Sequence, residues 1–513
     1  MSSPAILVKT HGCAFRGTQG HVVTVETHLA SGVPGFHLVG LPDTSIKEAR
    51  DRVRAAVQSC GLAWVQKRIT VNLSPASLPK AGAAFDLAIA VGMLAARGRV
   101  KAAAIENCVF VAELGLDGSL RPARAVLIAA LAARKAGYTT LVVARESLDE
   151  ASLVPGIRVR AYSHLRDLVS DFGGTLPAGL PVVPQETVSE SPADTEDENL
   201  DLSEVRGQNY AVRGMILAAS GGHHLVMNGE PGAGKTMIAR RLPTFLPDLS
   251  AEDSVEVTAV HSIAGKFSAA NGLIVRPPIQ SPHHSATMVA LIGGGAGMPM
   301  PGAVSLAHGG VLFLDEAAEF PVRVLDALRQ PLESGVVMIH RAREIVRFPA
   351  RFQLVMATNP CPCGFRNSRQ RACTCSSIQL RRYAARLSGP LMDRVDIQIN
   401  VTAPSAAALS EPPEWSSARA REMVVAARER SAHRWRTYPW SMNAHASSSV
   451  VRQVCSDFGV IDPIETALSR GRISLRGADR VLRLALTHAD VAGRDVRLED
   501  VYAALNYRNG EES

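Results

Sequence analysis

Long apolar runs are missing from this chain of 513 residues. One long uncharged stretch, residues 293–314, carries five glycines in its first ten positions and adds Pro299 and Pro301, so it cannot form a membrane-spanning helix. The start, MSSPAILVKTHGC, lacks a basic segment followed by an apolar core, so no secretory signal is expected and a cytoplasmic location is the default. Cysteine is scarce as well: eight residues, unevenly spread, are too few for a disulfide framework. Cys13, Cys60, Cys108 and Cys455 stand alone and read as small buried side chains.

What is present is ordinary globular material, 46% apolar and 20% charged, enough for about three domains of roughly 150 residues. Fifty-five Lys and Arg against 48 Asp and Glu give a net charge of +7. Residues 185–205 hold eight carboxylates and neither Lys nor Arg, which leaves the remainder at +15. A basic body with an acidic tether suits a polyanionic partner. Arginine used merely for solubility would give the same balance.

The stretch 174–203 has four prolines, clustered carboxylates and little periodic apolar content, and reads as a solvated linker. Before it, residues 1–173 form an α/β domain, with strands near Val22–Leu29 and Arg68–Leu73 and helices near Asp43–Ser59 and Phe85–Ala96. After it, residues 204–403 alternate short apolar strands (225–229, 310–315, 352–359) with helices, the pattern of a parallel sheet covered on both faces. Residues 404–513 turn helical and rich in Ala and Arg.

Residues 229–236 read GEPGAGKT, between the strand LVMNG and a helix. Gly229, Glu230, Pro231, Gly232, Ala233 and Gly234 would curl backbone N–H groups round phosphates at a helix N-terminus. Lys235 would reach the β- and γ-phosphates, and the Thr236 hydroxyl would ligate Mg²⁺. Farther on, the apolar strand of GGVLFLDEAAEF ends in Asp315, which can hold Mg²⁺ through water, and Glu316, which can activate the attacking water. The pair favours hydrolysis of ATP over binding alone. A third strand, FQLVMATN, ends in Asn359, a polar tip able to orient the same water. Arg394 and Arg476 follow in that order. A motor that works between subunits needs one arginine from the neighbour and one from its own lid.

In these motifs the chain resembles the AAA+ ATPases of the magnesium-chelatase-like class, specifically the ComM/YifB family. The matching runs include VRGQNYAVRGMILAASGGHHLVMNGEPGAGKT, SPHHSATMVALIGGG, PGAVSLAHGGVLFLDE, FPARFQLVMATNPCPCG, LSGPLMDRVDI and, near the start, PGFHLVGLPDTSIKEARDRVRAAV. The resemblance covers nearly the whole chain apart from the linker. It implies a P-loop AAA+ module with a helical lid, a hexameric ring and a preceding Lon-protease-like α/β domain. It also implies an ATP-driven helicase promoting branch migration of incoming DNA. By that resemblance Arg394 is the trans-acting finger, Asn359 the first sensor and Arg476 the second.

A Lon-like domain raises the rival of an ATP-dependent protease. The run Pro79-Lys80-Ala81-Gly82-Ala83-Ala84 puts Ala84 at the nucleophile's position, and the matching lysine position falls near Leu127. Without a hydroxyl and a neighbouring base there is no proteolysis. Two other rivals are a protein-remodelling ring and a chelatase motor subunit, neither acting on DNA. Cys361, Cys363, Cys373 and Cys375 form C-x-C-x₉-C-x-C after the Asn359 strand, a set able to close a tetrahedral zinc site. The pairs His223-His224 and His283-His284 lack partners at useful spacing and are expected to cap or pack. Finally, Val336–His340 and Ile345–Phe348 read as strands of a hairpin. The resemblance to ring ATPases implies that such a hairpin enters the central channel, which would offer Arg341 and Arg343 to a DNA backbone; a turn merely solvated by its charges is the alternative.

Overall fold

The computed structural model describes residues 6–40, 48–76, 78, 80, 82–177, 200–295, 298–341, 345–366, 368, 371–387 and 389–510. Two α/β modules follow one another. In the first, a seven-stranded sheet runs in the order Gly35–Val39, Arg68–Ser74, Gln19–Ala30, Ile6–Arg16, Cys108–Val111, Thr140–Ala144, Arg158–Tyr162. Gln19–Ala30 pairs antiparallel with both neighbours, and the other pairs are parallel. Along Gln19–Ala30, Val23, Val25, Thr27 and Leu29 alternate into the core, as a period of two demands. The helix Asp86–Ala96 is buried along its whole length against one face. The helix Val126–Lys135 covers the other. The four isolated cysteines are buried, as expected.

The second module carries five parallel strands in the order Ile279–Gln280, Val311–Leu314, Gln353–Thr358, Leu225–Gly229, Ile397–Val401. The P-loop strand thus lies between the Asn359 strand and the last strand, in register Leu225 with Val355 and with Ile397. Such strands have both faces covered and must be apolar throughout, which LVM, VLFL and LVMA satisfy. The lid helices Ser417–Arg434, Leu475–Ala492 and Leu498–Asn509 pack on one face through a single apolar cluster.

The linker is shorter at both ends than 174–203. The Gly174 N–H donates to the Val169 carbonyl at 2.8 Å, and Leu176 packs against the first module. Leu202 is fully buried, and Asp201 accepts from the Ser417 N–H at 3.1 Å, so residues 201–203 are already part of the second module. Composition could not show this, because one buried leucine and one capping aspartate look the same as linker residues. Residues 178–199 lie outside the described residues.

The two modules share a core. Ala259 and Ile263 of the helix Ala251–Ile263, with Val346 and Phe348, join Cys13, Val109, Val111 and Leu127 in one buried cluster. Arg16 Nε donates to the Ile345 carbonyl at 3.1 Å. Ser262 and the Leu127 N–H both donate to the Glu150 carboxylate, at 2.5 and 3.0 Å. Ala84 packs, partly buried, against the same cluster that holds Leu127.

Candidate nucleotide-binding site

The P-loop begins where the Leu225–Gly229 strand stops. A Cβ on Gly229 would meet the Val401 carbonyl of the adjacent strand, so only glycine fits. Gly232 and Gly234 take φ of +80° and +92°, the left-handed region that glycine enters freely, and Gly234 caps the helix Lys235–Arg240. Gln208, itself buried, donates to the carbonyls of Ala233 at 3.1 Å and Thr402 at 2.6 Å, pinning the loop to the end of the last strand.

Lys235 is mostly buried. Its Nζ donates to the carbonyls of Gly229 at 2.7 Å and Glu230 at 2.9 Å, and to Asn359 Oδ1 at 3.1 Å. Burial pulls its ammonium below the usual lysine range, opposed by Asp315, Glu316 and Glu230. Thr236 Oγ1 donates to Asp315 Oδ2 at 2.7 Å, and the Glu316 N–H donates to Asp315 Oδ1 at 2.9 Å. Glu316 holds φ of +50°, an uncommon value for a side chain of this size and one that collects at functional sites. The residues at the tips of three adjacent strands therefore meet: Lys235 and Thr236, Asn359, and Asp315 with Glu316.

These groups fit a nucleoside triphosphate with Mg²⁺. The cation of Lys235 spends its three donors on two carbonyls and one amide oxygen, acceptors that phosphate oxygens can replace. Thr236 and Asp315 offer the kind of oxygen ligands Mg²⁺ takes, and the metal would supply neutralisation of phosphate charge when bound. Glu316 and Asn359 stand beside them, both side chains able to hold a water.

One histidine departs from expectation: His283 caps as expected, accepting from the Ser285 N–H at 3.3 Å, but its neighbour does more. His284 Nδ1 lies 3.1 Å from Glu316 Oε2, so this side chain pairs with the carboxylate at the strand tip instead of merely packing. His223 and His224 do pack, at the other end of the sheet. There the Asp396 carboxylate pairs with Arg480, accepts from the His224 N–H at 3.1 Å, and has His223 Nδ1 at 3.4 Å. Burial would raise the Asp396 carboxyl, but Arg480 and the two histidines hold it well below the usual range. Burial also pushes the His224 imidazole down to about 4, against the pull of Asp396.

Arg394 and Arg476 belong to this second end. Both line a cleft of ≈ 130 Å³ with His224, Glu333 and Arg480. Arg394 is mostly buried, ion-paired with Glu333 and bonded to the Pro390 carbonyl. His224 precedes the first residue of the P-loop strand, so five residues, about 16 Å at roughly 3.3 Å each, separate this cleft from the P-loop. Arg476, expected to reach its own nucleotide from the lid, stands with Arg394 instead.

The four clustered sulfurs all lie within 4.8 Å of one another, a set that can take a metal ion. Backbone N–H groups of Phe365 and Thr374 facing Cys363 hold its thiol down at about 6. The hairpin forms as expected, Val336–His340 antiparallel to Ile345–Pro349. Arg341 bonds the Gly295 carbonyl, while Arg343 lies outside the described residues.

Three family models match in sequence along the chain. Those described as subunit ChlI of Mg-chelatase, magnesium chelatase subunit ChlI, and magnesium chelatase subunit ChlI C-terminal match residues 25–147, 201–409 and 414–508. The chain is 45% identical over 504 residues to an uncharacterized protein of Mycobacterium tuberculosis, covering 98% of each. It is 41% identical over 503 residues to the competence protein ComM of Haemophilus influenzae, covering 96% of each. Against the uncharacterized protein YifB of Escherichia coli the identity is 40% over 504 residues, 97% of this chain and 96% of that one. A shorter match, 29% over 184 residues, joins 31% of the chain to 33% of Lon protease 2 of Bacillus subtilis.

Proposed function

We propose that this chain, which belongs to the ComM/YifB family of magnesium-chelatase-like AAA+ ATPases, works as a hexameric ring that hydrolyses ATP at its subunit boundaries and moves on DNA. The observation that carries the reading is the separation of Lys235, Asp315, Glu316 and Asn359 from Arg394 and Arg476 by the length of the sheet. Arginines at the wrong end of their own sheet suit a neighbour's phosphates, and a heterologous contact of that kind closes into a ring. In this reading both arginines act in trans.

DNA as the polymer rests on charge and on likeness. The chain outside residues 185–205 is strongly basic, a hairpin presents Arg341, and one relative bears the name competence protein. A helicase that drives branch migration is the activity we assign. The test is ATP turnover with and without single-stranded or forked DNA, followed by strand displacement on a branched duplex. Stimulated turnover with displacement is expected. Turnover indifferent to DNA, with no displacement, would leave a remodelling or chelatase-type motor in its place.

A further inference from the structure

The cysteine knuckle is stapled to the nucleotide site from three sides. Cys361 follows Asn359, the acceptor for Lys235, by two residues. Gly364, at φ +85°, faces the P-loop so closely that a Cβ there would stand 2.5 Å from Pro231 Cδ. Just past Cys375, Ser376 caps the helix Ser377–Ala384 in a capping box with Gln379. That helix turns Tyr383 back so that its hydroxyl meets the Thr358 side chain and the Asn359 backbone. Arg386 then donates to the Ala318 carbonyl at 3.0 Å and to Glu319 at 2.6 Å, just beyond Glu316.

The sulfurs are spaced for a metal. Cys361 Sγ lies 3.3 Å from Cys363 Sγ and 3.7 Å from Cys373 Sγ, and those two stand 3.6 Å apart. Four sulfurs at about 2.3 Å from a tetrahedral zinc ion stand about 3.8 Å from one another. A disulfide would draw two of them to about 2.0 Å, and all four are free thiols.

We propose that Cys361, Cys363, Cys373 and Cys375 bind one zinc ion, and that this metal holds Pro231 and Asn359 in place for the nucleotide. The knuckle closes a loop whose two ends both touch the site, so the metal sets the distance between them. Binding at the two places is then coupled and reciprocal: nucleotide strengthens zinc retention as zinc strengthens nucleotide binding. The inference rests on the ATP-site reading and needs nothing of the DNA reading.

Full-length protein purified without added metal is expected to hold one zinc per chain by elemental analysis. Stripping the metal with a chelator should weaken binding of a fluorescent ATP analogue roughly tenfold, the usual scale of coupling between two sites, and added zinc should restore it. Gly364→Ala leaves the four thiols intact and pushes the knuckle off Pro231, so it should keep zinc and still bind the analogue more weakly. Lys235→Ala separates the two readings, since it should lose the analogue and keep the zinc. Metal-free protein with full nucleotide affinity would overturn the site. Zinc-bound and zinc-stripped protein of equal circular dichroism and equal nucleotide affinity would overturn the coupling.

Discussion

The two ends of the five-stranded sheet are built on opposite electrostatic terms. Where the strands finish, Lys235 rests on neutral carbonyl and amide oxygens, and Glu316 sits beside His284 at a strained backbone position. Where they begin, charges are paired inside the chain: Asp396 with Arg480, and Arg394 with Glu333. The first end is arranged to receive a ligand. The second is neutralised within the protomer, and under the ring proposal Arg394 would have to leave Glu333 to reach a neighbour.

The comparison breaks most sharply at Lys235. Lys235→Ala is expected to abolish nucleotide binding, measured as affinity for an ATP analogue, and tight binding by that variant would move the phosphates elsewhere. Arg394→Ala should bind nucleotide normally and lose turnover on the order of 10³-fold or more. Glu316→Gln should also bind ATP and turn over on the order of 10² to 10⁴ times more slowly. Because the two defects lie at opposite ends, mixed rings of these variants should regain activity that neither has alone. A mixture as inactive as its parts would place Arg394 in cis.

Smaller effects test the neutralised end itself. Arg480→Ala strands the Asp396 carboxylate in a buried site and should cost about 3–5 kcal/mol in urea unfolding. The same cluster gives a pH dependence. The folded-state imidazole of His224 is pushed from 6.5 to about 4, so the unfolded chain binds the proton more tightly. Stability should be fully present above pH 6.5 and decline as the pH falls toward 4. A denaturation midpoint that stays level from pH 7 to pH 4.5 would remove His224 from the account.

The nucleotide-binding end was legible because its chemistry is local in sequence. GEPGAGKT and the Asp315-Glu316 pair each sit at one strand tip, and Asn359 needed only the inference that its strand lay beside them. The other end was not legible, since it depends on how the lid seats against strand starts. Nothing in ISLRGADRVLRL says that Arg480 meets Asp396 or that Arg476 shares a cleft with Arg394. His284 reaches Glu316 across 31 residues of intervening chain, with no spacing rule to mark it. Gln208 carried one usable signal, a polar side chain at the start of an apolar helix before the P-loop strand. The linker's ends blurred because folded caps and solvated chain share a composition.

The shared cluster around Phe348 bears on how force could travel. Val346 and Phe348 on the hairpin, with Ile263 on its helix, are buried among Val109, Val111 and Leu127 of the first module. Pulling the modules apart would return each large side chain to water at about 1.5–3 kcal/mol apiece. The hairpin is therefore rooted in two bodies at once. Any stroke that tilts it must either drag the first module along as one rigid lever or tear that seam.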